Sequence, residues 1–264
     1  MISTTPSTDA FQPGDVAAQT THASQAAQAA RVSNQRLART AGVLYLITIV
    51  ASIPAQFVLY HPVLSNPEYV LGAGHDTRVM WGGLLELITA LACIGTAVAL
   101  FPVVRRHHEA AALGFVAARV LEAAFIVTGI VSMLSVTTLR QPDATGTEAA
   151  SLVAAAQALV AIHDWTFLLG PGVLPGINAL LLGYLMYHSG LVPRIIPRIG
   201  LLGAPLFLAS AGATIIGVNE PASIVTALVT LPIFAWEAAL GIRLTVSGFN
   251  QPLEPVAPSG DARP

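Results

Sequence analysis

Six separate runs of apolar residues, each long enough to cross a bilayer, constrain this chain more than any other feature. A membrane helix needs about 20 largely apolar residues to traverse roughly 30 Å of hydrocarbon, because lipid offers no partner to backbone N–H and C=O groups. The runs cover residues 41–60, 79–102, 111–135, 161–187, 198–217 and 223–246. They predict an all-α, polytopic integral membrane helical bundle of six transmembrane helices, occupying residues 36–246. Residues 147–159 are alanine-rich and helical in pattern but too short to span alone, so they read as an interfacial or extended helix leading into the fourth span. A seven-span alternative arises if 151–170 crosses by itself and the chain breaks at Gly170-Pro171-Gly172. That break leaves 173–187, which is short for another crossing.

Composition agrees with a lipid environment. Charged residues make up 10% of the chain and hydrophobic residues 54%, whereas soluble proteins carry about 25% charged residues. Residues 1–35, rich in Ser, Thr, Gln and Ala, lack the order of a cleavable signal peptide and read as a disordered tail. Residues 247–264, with Pro252, Pro255, Pro258 and Pro264, read as a second disordered tail.

All twelve basic residues are arginine. Without lysine there is no GxxxxGK[ST] phosphate loop, no Schiff base and no lysine general base. A single cysteine, Cys93, excludes an intramolecular disulfide, a CxxC pair and a cysteine zinc site, and it reads as a packing residue. The formal charge of −2 and the lack of a basic, aromatic-interleaved stripe exclude nucleic acid as a partner. No GxSxG, HExxH or GxGxxG motif occurs, and no cofactor is indicated.

Cytoplasmic loops of membrane proteins carry the basic excess. With six spans, Arg31, Arg36, Arg39, Arg105, Arg106, Arg194, Arg198, Arg243 and Arg263 fall on one side and only Arg78 and Arg140 on the other. This asymmetry predicts that both termini are cytoplasmic and that the protein resides in a bacterial-type plasma membrane. His107 and His108 extend the basic loop. His61 and His75, with Glu68 and Asp76, belong to an external loop. Trp81, Trp165 and Tyr60 are expected at the outer interface, and Asn178 is expected to make an interhelical hydrogen bond. Gly172 with Gly176, Gly200 with Ala204, and Ala209 with Ala213 are spaced for close helix contacts. Pro54, Pro171, Pro175, Pro205 and Pro232 are expected to kink their spans.

The remaining polar groups lie inside the spans. Glu86 is in the second, Arg119 and Glu122 in the third, His163 and Asp164 at the start of the fourth, and Glu237 in the sixth. Each ionised group costs about 2.5–3.5 kcal/mol at a helix centre if it faces lipid, so these groups must face one another or water. Arg119 and Glu122, three apart, share a helix face. At about 1.5 Å of rise per residue, Glu122 lies about 16 Å from the inner end of its span and Glu237 about 21 Å from the outer end of its own. Both are therefore near the midplane, with Glu86 shallower.

One reading is an ion-pair network in which Arg119 is counter-ion to Glu122 and a second glutamate, leaving the remaining carboxyl neutral. The other is a functional site with Glu86, Glu122, Glu237 and His163 as ligands or proton carriers. The candidate ligand- or proton-binding set is thus Glu86, Arg119, Glu122, His163, Asp164 and Glu237, serving transport or sensing of a small molecule, ion or proton. Six spans show no obvious inverted repeats, so a transport role implies a homo-oligomer. Two alternatives belong to other classes. One is a membrane-embedded metal-dependent hydrolase using His163, Asp164, Glu86 or Glu122 to hold a metal-bound water. The other is a structural or assembly protein with no ligand.

From about residue 36 to 245, the chain resembles the bacterial multi-pass membrane-protein family catalogued as domain of unknown function 4386. The resemblance rests on Ala41-Gly42-Val43-Leu44-Tyr45-Leu46, Glu86, the Arg119-x-x-Glu122 spacing, Leu182-Gly183-Tyr184-Leu185 with Leu191-Val192-Pro193-Arg194, and Trp236-Glu237. It implies a multi-span helical membrane protein and supplies no substrate.

Overall fold

The computed structural model describes residues 13–72, 76–220 and 223–250. Its elements are α1 (Pro13–Pro54), a π-helical turn (Ala55–Leu59), α2 (His61–Leu64), a 3-10 turn (Tyr69–Leu71), α3 (Thr77–Val104), α4 (Glu109–Thr138), α5 (Gly146–Leu169), α6 (Leu174–Ser189), α7 (Ile195–Ile215) and α8 (Ile224–Val246). Among the described residues, six helical stretches are long and apolar enough to cross a membrane: Ser24–Leu59, Thr77–Val104, Glu109–Thr138, Gly146–Ser189, Ile195–Ile215 and Ile224–Val246. The protein is an all-α, multi-pass membrane bundle. Large apolar side chains such as Val50, Leu91, Val131, Leu202 and Leu206 face outward from these stretches, as a lipid-facing surface requires.

The fourth crossing is discontinuous. Gly170, Pro171, Gly172 and Val173 interrupt it between α5 and α6, where Gly170 N donates to Thr166 O at 2.9 Å and Leu174 N to Gly170 O at 2.9 Å. Contacts along α4 identify the two helices as parts of one pass. Ser132 donates to Leu159 O, the β-carbon of Phe125 faces Gly170, and the Leu181 side chain faces Gly114. Descending α4 therefore means ascending α5 and then α6, so the chain crosses once here and the count is six. The N-terminal part of α5 extends this pass, in agreement with the extended-helix expectation.

The tails differ from expectation where they are described. Helix α1 begins at Pro13, so residues 13–35 are helical and continuous with the first span. Their alanine content favours helix once the span has nucleated it. At the other end, Gln35 Nε2 donates to Phe249 O at 2.9 Å and Phe249 N donates back to Gln35 Oε1 at 3.0 Å. Asn250 N donates to Leu191 O at 2.7 Å and Asn250 Nδ2 to Gly190 O at 2.8 Å. Residues 247–250 are thus folded onto α1 and the α6–α7 turn, because the buried Phe249 ring joins the core. Residues 1–12 and 251–264, and His75, lie outside the described residues. The Gln35 bonds place both ends of the bundle's chain on one side, called here the terminal end.

Packing closes a ring: α4 on α3, α3 on α1, α1 on α8, α8 on α7, α7 on α6, and α6 back on α4. Helix α5 stands outside it, against α4 and the Tyr69–Leu71 turn. Small residues permit the close approaches. A β-carbon on Gly42 would lie 2.4 Å from Thr245 N of α8, and one on Gly200 would lie 2.7 Å from the Trp236 indole. Gly172 instead falls in the α5–α6 connection and Ala209 is exposed, so these two do not serve the helix contacts expected from their spacing. The terminal half is filled by Tyr45, Leu100, Phe115, Leu182, Trp236 and Leu240. The opposite, distal end is closed by Tyr60, Val63, Val70, Val79, Met133 and Val136.

Candidate intramembrane polar site

Between these two apolar plugs lies a cavity of 170 Å³, lined by residues of α1, the π turn, α3, α4, the α5–α6 break, α7 and α8. Four of the six polar groups singled out from the sequence line it: Glu86, Arg119, Glu122 and Glu237.

Arg119 is the hub. Its Nη1 donates to Glu122 Oε2 at 3.1 Å and its Nη2 to Glu237 Oε1 at 2.9 Å. Asn178 Nδ2 of α6 donates to the same Glu122 oxygen at 2.8 Å, the interhelical bond expected of it. The guanidinium lies 4.7 Å from the Tyr45 ring centroid of α1, and Nη1 is 3.6 Å from Cys93 Sγ of α3. The first, second, third and sixth spans thus meet at one cation, and the α5–α6 pass joins them through Glu122. Truncating one partner of such a buried pair leaves an uncompensated charge, which makes the register of the helices sensitive to each member. Trp236, buried against Gly200 of α7, fixes the rotation of α8 and so presents the adjacent Glu237 to Arg119.

Glu86 differs from the other two glutamates. It is only 7% exposed, yet it makes no hydrogen bond or ion pair with the described residues. It lines both the cavity and a second void of 10 Å³ shared with Tyr60, His163, Thr166 and Phe167. His163 is buried in that neighbouring void, with its ring 5.6 Å from Tyr60 and 6.2 Å from Phe167. Asp164 points outward, touching only the edge of the group through a 3.4 Å contact with His163 Nδ1. Asp164 is therefore set apart from the carboxyl cluster, as its position one residue along α5 dictates. Buried atoms without partners among the described residues include Arg119 Nε, Gln56 Oε1, Tyr60 OH and Asn178 Oδ1.

Tyr60 was expected at the interface but is buried, whereas Trp81 and Trp165 are exposed. The cause is the π turn. Pro54 lacks an N–H and its ring displaces the carbonyl four residues earlier. The helix then widens, with Tyr60 N donating to Ala55 O at 2.9 Å. This brings Tyr60 onto Gly82, whose β-carbon would lie 2.6 Å from the ring. Gln56 and Thr48, which also line the cavity, were missed as site residues. Gln56 was detectable as an amide within an apolar run.

A family model described as a domain of unknown function, DUF4386, matches residues 40–248. The chain belongs to this family. The matched stretch contains all six spans' hydrophobic segments and every residue of the Arg119 cluster. The chain matches no curated protein and no solved structure. Among the described residues, no three His, Cys, Asp or Glu side chains are grouped to hold a metal ion, so the residues named for a hydrolase centre do not form a ligand set.

Proposed function

We propose that this DUF4386 protein binds a small cation or a proton at Glu86 within the membrane, in a transport or sensing role, with both termini in the cytoplasm of a bacterial-type cell. One observation carries this reading: a carboxyl group with no partner faces a cavity while two neighbouring carboxyls are occupied by a guanidinium. An ionisable group inside a bilayer, without a structural partner, marks an ion or proton pathway. The Glu122–Arg119–Glu237 assembly supplies the rigid wall and an excess of carboxyl groups over cations, which favours positive ligands. The nine-to-two arginine asymmetry supports the orientation.

Dicyclohexylcarbodiimide, a lipid-soluble reagent that modifies protonated carboxyls, tests this. Purified full-length protein should be modified at Glu86, with Glu122 and Glu237 spared by Arg119. Modification should fall as pH rises and be reduced by added methylammonium. A Glu86 that stays unmodified at every pH while the protein is folded would sink the proposal. In proteoliposomes, proton flux driven by a cation gradient and lost in Glu86→Gln assigns transport; binding without flux assigns sensing.

A further inference from the structure

The cavity is closed above and below but not at its side. Toward the terminal end it meets packed Trp236, Leu240, Phe115 and Leu182, and toward the distal end the buried cluster of Tyr60, Val63, Val79 and Met133. Several cavity-lining residues nevertheless face outward: Phe57 is 69% exposed, Ile53 45%, Phe234 44% and Phe167 36%. They come from α1, the π turn, α5 and α8. All four are hydrocarbon side chains within the spans. An apolar mouth at this depth opens onto lipid.

The volume points the same way. Pockets that enclose a drug-sized ligand run from about 300 to 1,000 Å³, and this one holds 170 Å³. It has room for a polar head and not for a body. Head chemistry follows from the walls: Glu86 is unpartnered, the lining holds three carboxyl groups to one guanidinium, and aromatic faces at the mouth favour a passing cation.

We infer that the cavity is entered sideways from the bilayer and takes an amphipathic ammonium, its cationic head at Glu86 and its hydrocarbon chain passing out between Phe57, Phe167 and Phe234. This rests on the reading of Glu86 as the cation-binding carboxyl, and it adds the ligand class and the route.

The test uses the full-length protein in lipid nanodiscs with dodecylamine carrying a diazirine along its chain. Photolysis followed by peptide mass spectrometry should place crosslinks on the segments holding Phe57, Phe167 and Phe234. Unlabelled dodecylamine should compete, and ethylamine at equal concentration should not. Yield should fall by about tenfold or more in Glu86→Gln, equivalent to losing one charged contact. Phe57→Ala, which leaves the carboxyl cluster intact, should lower the yield while carbodiimide still reaches Glu86. Equal crosslinking by the corresponding dodecanol probe overturns the proposal, because the head is then not recognised. Equal competition by ethylamine overturns it too, in favour of aqueous loading. In that second case carbodiimide modification of Glu86, blocked by ethylamine, leaves the cation-binding reading standing; absence of modification removes both.

Discussion

Arg119 and Glu237, 118 positions apart, meet at 2.9 Å and tie the third crossing to the sixth. Glu122, one turn along α4, holds the other terminal nitrogen of the same guanidinium, so the cation is shared between a local and a remote carboxylate.

Replacing Arg119 by Met should therefore be far more damaging than its size change suggests. Two carboxyls would be left buried without their cation, a loss of about 3–5 kcal/mol. Thermal unfolding in detergent should show a large drop for Arg119→Met and substantial recovery when Glu122→Gln and Glu237→Gln are added. A single substitution as stable as wild type would contradict the buried-pair account.

Glu86 should behave in the opposite way. Its carboxyl is buried without a partner, so Glu86→Leu is expected to stabilise the fold by about 1–3 kcal/mol while abolishing ligand binding. Denaturant unfolding run beside the carbodiimide and crosslinking assays would show whether stability and binding part company at this position.

At the distal end, Arg140 Nη1 donates to Asp76 Oδ1 at 2.6 Å, Tyr69 OH donates to the same oxygen at 2.8 Å, and Arg140 Nε donates to Gly72 O at 2.8 Å. Burial, then the Asp76 carboxylate it bonds, push the Tyr69 hydroxyl from its ordinary value of 10 up to about 12. The folded form thus holds the proton more tightly than the unfolded one. Its contribution to stability is complete below pH 10 and is lost as pH rises through about 12. Comparing unfolding temperatures of wild type and Tyr69→Phe across that window should reveal a steeper alkaline decline in wild type. Parallel curves would argue against the clasp.

At the terminal end, Gly248 has φ of +68°, and a β-carbon there would lie 1.8 Å from Gln35 Oε1. Gly248→Ala should break both Gln35–Phe249 hydrogen bonds, and Gln35→Ala should remove them more gently, by about 1–2 kcal/mol. Hydrogen exchange at Phe249 and Asn250 should quicken in both variants, with little change at the Arg119 cluster.

The crossings were legible because lipid demands one simple thing of a sequence: uninterrupted apolar helix. The shared depth of Glu122 and Glu237 followed from counting rise along two spans, and Arg119 lay within reach of both. What the sequence withheld was rotation. Asp164 and His163 are neighbours in the chain, yet only His163 turns inward, and no periodic pattern on α5 distinguishes them because that helix is apolar almost all round. Tyr60 was misplaced since the widened turn after Pro54 depends on packing against Gly82. The helicity of residues 13–35 was missed for another reason: composition that cannot build a core alone can still extend a helix begun elsewhere.

That widened turn has a consequence for insertions and deletions. A π turn holds one residue more than an ordinary helical turn, so removing one residue between Ala55 and Leu59 would restore regular winding with Tyr60 still facing Gly82, whereas removing two would swing it away by about 100°. With two residues removed, the distal plug would lose its largest ring while the Arg119 cluster, deeper along α1, kept its alignment. A one-residue deletion there would be absorbed, and a two-residue deletion would uncork one end of the bundle and leave its charged centre in place.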